Sequence, residues 1–275
     1  LFPQLSPQAS VSQTIGITEV KVTYHRPAVR YRKIWGDLVP FGKVWRAGAN
    51  EATTIRFSDA VKVDGRSVAA GTYALFMIPN ADRWTLIFSK RWQQFGSFEY
   101  DPKDDVLRFD VAPKNVTNFD EWLTYEVYPA SASTAYVDMY WEKLRVSFLV
   151  EVDVQGIVTT HIKKSLSQAK PGDWRIFSDA AEYLLDLDQD LAQALKWADR
   201  SLQIKEAPVN LHVKARLQHA LGQAAEAALL LEKALKLAGA EKAPPSVTGP
   251  LESTRASWNR QAPVSGGNNG KQRLP

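Results

Sequence analysis

The period of the hydrophobic pattern changes once along this chain, near Gly156, and that change limits the kind of fold open to each part. From Ser10 to Val154 short segments rich in β-branched and aromatic residues follow one another: Glu19–Tyr24, Thr53–Phe57, Thr72–Ile78, Trp84–Phe88, Val106–Val111, Leu123–Val127, Thr134–Trp141 and Val146–Val154. In Tyr136–Trp141 the alternation has a period of two, with Val137, Met139 and Trp141 on one face and Tyr136, Asp138 and Tyr140 on the other. Turn chemistry separates the segments. Asp64-Gly65 predicts a hairpin between Val61–Val63 and Arg66–Ala69, Pro79-Asn80-Ala81-Asp82 a turn before Trp84, and Glu142-Lys143 a break between the last two long strands. Short strands at this spacing, with no helices between them, predict an antiparallel β-sandwich or flattened barrel over residues 6–155.

Beyond Gly156 the apolar residues recur every three or four positions. Ile157–Ala169 predicts a linking helix within 156–172, ended by Pro171-Gly172. Asp173–Leu187, Asp190–Lys205, Pro208–Leu221 and Ala224–Ala238 then predict four amphipathic helices. Ala194, Leu195, Ala198, Ser201 and Leu202 recur 33 residues later as Ala227, Ala228, Leu231, Ala234 and Leu235, and Gly222 marks the turn of one hairpin. Small residues at that spacing resemble tetratricopeptide repeats, so residues 173–239 read as a small all-α domain of helical hairpins able to dock a protein partner. Residues 240–275, with Pro244-Pro245, Pro250, Pro263 and Gly266-Gly267, predict a flexible tail.

Composition removes several classes of chemistry. Cysteine is absent, so disulfides, thiolate nucleophiles and iron–sulfur clusters are excluded. No apolar run reaches the roughly 18 residues of a membrane-spanning helix. The excess of four positive charges has no aromatic interleaving toward its basic end, which argues against nucleic acid. His25 stands apart from His161, His212 and His219, no spacing of His, Asp and Glu suggests a metal, and no cofactor is expected.

The unusual chemistry is concentrated between Lys21 and Arg56, where eight cations face two acids, Asp37 and Glu51. Here lie Tyr24-His25-Arg26-Pro27 and Gly42-Lys43-Val44-Trp45-Arg46-Ala47-Gly48-Ala49-Asn50-Glu51. A planar guanidinium matches carboxylate or phosphate and stacks on aromatic rings. Arg26, Arg46 and Asn50 are therefore candidate donors to a small anionic or carbohydrate-like ligand, with Trp45 as a stacking wall and Glu51 and His25 beside them. The competing reading is an internal clasp, in which the arginines pin a long loop. Asn50 also suits a left-handed turn position, and Trp92 beside Gln93-Gln94 is, with Trp45, a candidate exposed aromatic platform.

These motifs, with Ser6-Pro7-Gln8-Ala9-Ser10, Arg32-Lys33-Ile34-Trp35-Gly36, Leu38-Val39-Pro40-Phe41 and Ala70-Gly71-Thr72-Tyr73-Ala74-Leu75-Phe76, resemble the exported bacterial proteins of domain-of-unknown-function family 2911 over roughly residues 6–150. The resemblance implies a periplasmic or secreted protein, as does a chain opening at Leu1 on a polar segment, which predicts a signal segment upstream. It transfers no catalytic residue. Three functions follow from the residues: a non-catalytic binding module with a helical docking extension, an envelope hydrolase using Glu51 or His25 with Arg26 and Arg46 as electrostatic stabilisers, or a structural protein with the arginine clasp.

Overall fold

The computed structural model describes residues 2–261. The chain divides between Thr159 and Thr160 into two compact units.

The first unit is an antiparallel β-sandwich, its sheets not closed into a barrel. One sheet sets six strands side by side in the order β1 (Gln8–Ile15), β2 (Thr18–His25), β3 (Thr54–Phe57), β6 (Gly71–Ile78), β7 (Trp84–Ser89) and β8 (Asp105–Val111). The other runs β5 (Arg66–Val68), β4 (Val61–Val63), β10 (Thr134–Glu151) and β9 (Lys114–Pro129). Period-two alternation fills the space between them. Val20, Val22 and Tyr24 of β2, Leu75 and Met77 of β6, and Leu86 and Phe88 of β7 share one core with Leu123, Tyr125, Val137 and Met139 of the facing sheet. The Asp64-Gly65 turn has φ of 44° and 77°, the left-handed pair that a two-residue hairpin requires.

Two expectations are corrected here. Glu142-Lys143 is no chain reversal: β10 runs through it as one 18-residue strand, with the register against β9 slipping on both sides of Glu142, whose φ is 57°. The inward residues before it are Val137, Met139 and Trp141; those after it are Val146, Phe148 and Val150. An inserted bulge residue moves the inward set from odd to even positions, and in the sequence that slip looks like an interruption. The second correction is β1. Its inward positions are Ala9, Val11, Gln13 and Ile15, too weak an apolar signal for a strand, and it lies at the sheet edge.

Helix α1 (Val154–Ser167) stands where the linking helix was expected. In the second unit, α2 (Trp174–Asp186), α3 (Leu191–Ile204), α4 (Pro208–Ala220) and α5 (Ala224–Ala240) follow the predicted segments. Ala194, Ala198 and Ser201 on α3 and Ala227, Leu231 and Ala234 on α5 are all buried, as close helix approach requires. Helix α4 is packed by α2, α3, α5 and a further helix, α6 (Pro245–Gln261), and buries residues all around its circumference. That helix corrects the flexible tail expected from residue 240: Leu251 is buried in the same cluster as Leu211 and Leu231, with Val247 and Trp258 packed against it. Positions 262–275 of the expected tail lie outside the described residues.

Candidate functional site

The connection between β2 and β3, residues 26–53, carries most of the sequence motif, and its parts have separate destinations. Arg26, just past β2, donates from Nε to the Leu123 carbonyl at 3.0 Å and from Nη2 to Thr124 Oγ1 at 2.6 Å. The fork thus ties the end of β2 to β9. Trp45 is 8% exposed, donates from Nε1 to the Gly48 carbonyl, stacks on Trp141 at 6.0 Å and meets Trp35 and Trp84 edge-on. It is core, not platform. Alternation in a strand-like segment fixes this, because Trp45 bridges Met77, itself an inward residue of β6.

Asn50 takes φ 56°, the left-handed conformation expected of it, and its amide donates to Gln4 Oε1 and the Ser6 carbonyl, pinning the chain before β1. Gly48 allows close approach: a Cβ there would lie 2.8 Å from Thr53 Oγ1 and 3.1 Å from the His25 carbonyl oxygen. Arg46 is half-buried. Its Nε is buried and has no hydrogen-bond partner among the described residues, and desolvation holds the guanidinium below its ordinary pKa.

His25 and Glu51 do come together. His25 ends β2 on the face shared with Thr23, opposite Val22 and Tyr24, so its imidazole lies on the outer side of the six-stranded sheet while remaining 5% exposed. Glu51 is positioned by an isolated bridge to Phe95, and its Oε2 lies 3.3 Å from His25 Nε2. The two line a cleft of about 380 Å³ together with Thr23, Thr54, Gln8 and the segment Trp92-Gln93-Gln94. Among the described residues no lysine or arginine lines it; nor does Trp45 or Asn50.

Trp92 is 40% exposed, as its flanking glutamines suggested. Gln94 is 8% exposed; its amide donates to the Arg91 carbonyl, while its Oε1 is buried with no donor among the described residues. A buried acceptor without a donor costs about 1–3 kcal/mol. Gln8, Thr23, Thr54 and Gln94 escaped the sequence reading. Only the Trp-Gln-Gln string hinted at them, since the others are brought in by strand register, with Gln8 opposite His25 and Thr23 opposite Thr54.

The acidic side chains between Glu99 and Asp105 are internally engaged. Glu99, Asp101, Asp104 and Asp105 pair with Arg91, Lys103, Lys90 and Arg108 respectively. A second hollow on β9 and β10 is bordered by Thr124, Glu126 and Tyr140; the Tyr140 hydroxyl donates to buried Asp138, which Arg145 neutralises at 2.8 Å. Burial and Asp138 push the Tyr140 phenol up to about 12. Among the described residues no group of three or more His, Cys, Asp or Glu side chains could hold a metal ion. No helix there is long and apolar enough to cross a membrane.

The chain is thus a two-sheet antiparallel sandwich with a polar cleft beside Trp92 on its outer face, followed in sequence by a set of packed helices. The chain belongs to the family described as Protein of unknown function (DUF2911), which matches residues 6–150 and so takes in every residue of the cleft. No match is found among curated proteins or among solved structures.

Proposed function

We propose that the β-sandwich is a non-catalytic binding module whose cleft at His25, Glu51, Trp92 and Gln94 takes a small, uncharged polyhydroxyl ligand of the carbohydrate type. One observation carries this reading: the half-exposed Trp92 indole stands among the hydroxyls and amides of Thr23, Thr54, Gln8 and Gln93 in a cleft that, among the described residues, no lysine or arginine lines. Amide, hydroxyl and carboxylate groups at the base would exchange hydrogen bonds with hydroxyls, and the Trp92 face would cover an apolar C–H face. An anionic ligand is disfavoured, because Glu51 would repel it and Arg26 is engaged on Leu123 and Thr124. The helical unit is proposed as a tetratricopeptide-like docking module, supported by the 33-residue recurrence and its buried small residues. Export to the periplasm or beyond is proposed on the family resemblance.

Titration calorimetry of the full chain against maltose, cellobiose and chitobiose, with glucose 6-phosphate alongside, tests the ligand class. Binding of at least one neutral disaccharide, tighter than the phosphate ester, is expected; preference for the ester overturns it. A hydrolase is the second reading, supported by the 3.3 Å His25–Glu51 contact, in which the carboxylate would orient an imidazole that activates water. New reducing ends in the same samples, lost in His25→Ala, would favour it.

A further inference from the structure

The segment that supplies Trp92 does not stop at the cleft. Residues 91–99 form a closed loop whose ends are joined by an Arg91–Glu99 ion pair. Its interior is fixed to the neighbouring connection at several points: the Gln94 carbonyl accepts from Ala52 N–H at 3.0 Å, Gly96 N–H donates to the Asn50 carbonyl at 2.9 Å, and Ser97 Oγ donates to the Val44 carbonyl at 3.1 Å. The loop is therefore held, and it holds two further aromatic side chains outward. Phe95 is 59% exposed and Phe98 is 82% exposed. Gly96 at φ 66° lets the Phe98 ring lie against the loop backbone, since a Cβ there would meet Phe98 at 2.8 Å.

Three large aromatic residues within seven positions of one tethered loop leave apolar surface in water that a fold ordinarily buries. Phe95 is the residue bridged to Glu51, so the aromatic run is continuous with the rim of the cleft. Resting on the polyhydroxyl reading above, we infer that the ligand is a polymer: an extended neutral glycan whose chain leaves the cleft and continues over Phe95 and Phe98 as outer subsites. Preorganised aromatic faces suit the successive C–H faces of such a chain, and they add binding without charge, matching a cleft that no lysine or arginine lines among the described residues. An apolar peptide is the competing occupant; its backbone N–H groups could meet Glu51, but its side chains would leave the hydroxyls and amides of Thr23, Thr54, Gln8 and Gln93 at the inner end unpaired.

The test uses the full chain and neutral oligosaccharides of two and six units from the maltose, cellobiose and chitobiose series, measured by calorimetry. The hexasaccharide of the accepted series should bind about tenfold or more tightly than its disaccharide. Phe95→Ala with Phe98→Ala should bring the hexasaccharide to the disaccharide's affinity and leave the disaccharide's own affinity and the melting temperature unchanged. Equal affinity at both lengths, or an undiminished hexasaccharide affinity in the double variant, overturns the outer subsites while leaving the cleft reading intact. Absence of binding at both lengths overturns the cleft reading, and this inference with it. Displacement of the hexasaccharide by a Phe- and Leu-rich peptide, with loss of peptide binding in the double variant, would instead assign the loop to a protein partner.

Discussion

Arg26 and Arg46 sit in one basic stretch but solve different problems. Arg26 has two acceptors on β9, a carbonyl and a hydroxyl; Arg46 has none on its buried Nε among the described residues. Because Arg46 loses hydration and gains no anion among the described residues, its charge is a cost to the folded state. Arg46→Met should therefore leave the melting temperature unchanged or raise it, while a clear loss of stability would mean that the guanidinium has an important internal partner. The sequence could raise the question but not answer it. Counting acids within reach of the motif correctly showed too few carboxylates for the arginines, yet Arg26 is satisfied by uncharged acceptors 97 and 98 residues away. Trp45 was misread for a related reason: flanking charge suggested exposure, whereas the bridge to Met77 turns the indole inward. His25 and Glu51 were legible as candidates, but their contact depends on a connection folding back over the end of β2.

At the level of elements, strands and helices with strong periodicity were legible, and those that break a local rule were not. β10 breaks phase at Glu142, β1 lacks apolar weight, and α6 carries Pro250 inside it. Helix α6 is held by contacts that no composition measure weighs. Pro245 opens it at a position where its missing N–H has no cost, Leu251 enters the core, Trp258 stacks on His219 at 4.3 Å, and Thr254 Oγ1 lies 2.8 Å from His212 Nε2 on α4. Burial, then the nearby Arg216 charge, push His212 from 6.5 down to about 4. The folded state thus resists a proton that the unfolded chain accepts below its ordinary value. Stability from this group is present above about 6.5 and is lost as pH falls toward 4. Melts followed by far-ultraviolet circular dichroism between pH 7 and 4 should show the helical transition falling in that window. His212→Gln should flatten the dependence; an unchanged slope would contradict the assignment.

Across the whole molecule, each compact unit carries its own apolar clusters. The sandwich core draws on residues from Ala9 to Ile157, and the helical clusters on residues from Ala181 to Trp258. A fragment of residues 6–159 should accordingly unfold in one cooperative thermal transition, and failure to show one would contradict the autonomy of the sandwich. The division into a β and an α part was legible from hydrophobic period alone. The site was legible only in pieces, because a cleft is made by strand register and loop contact between segments distant in sequence. On the proposed reading the molecule separates two jobs, with Arg26 clasping the sandwich and the His25–Glu51–Trp92 cleft receiving the ligand. Calorimetric titration of a neutral oligosaccharide into wild type, Arg26→Lys and Trp92→Ala, with thermal melts of each, tests both at once. Arg26→Lys should bind as wild type but lose about 2 kcal/mol of stability with its forked hydrogen bonds. Trp92→Ala should melt as wild type and lose binding. Lost binding at full stability in Arg26→Lys, together with wild-type binding in Trp92→Ala, would contradict it.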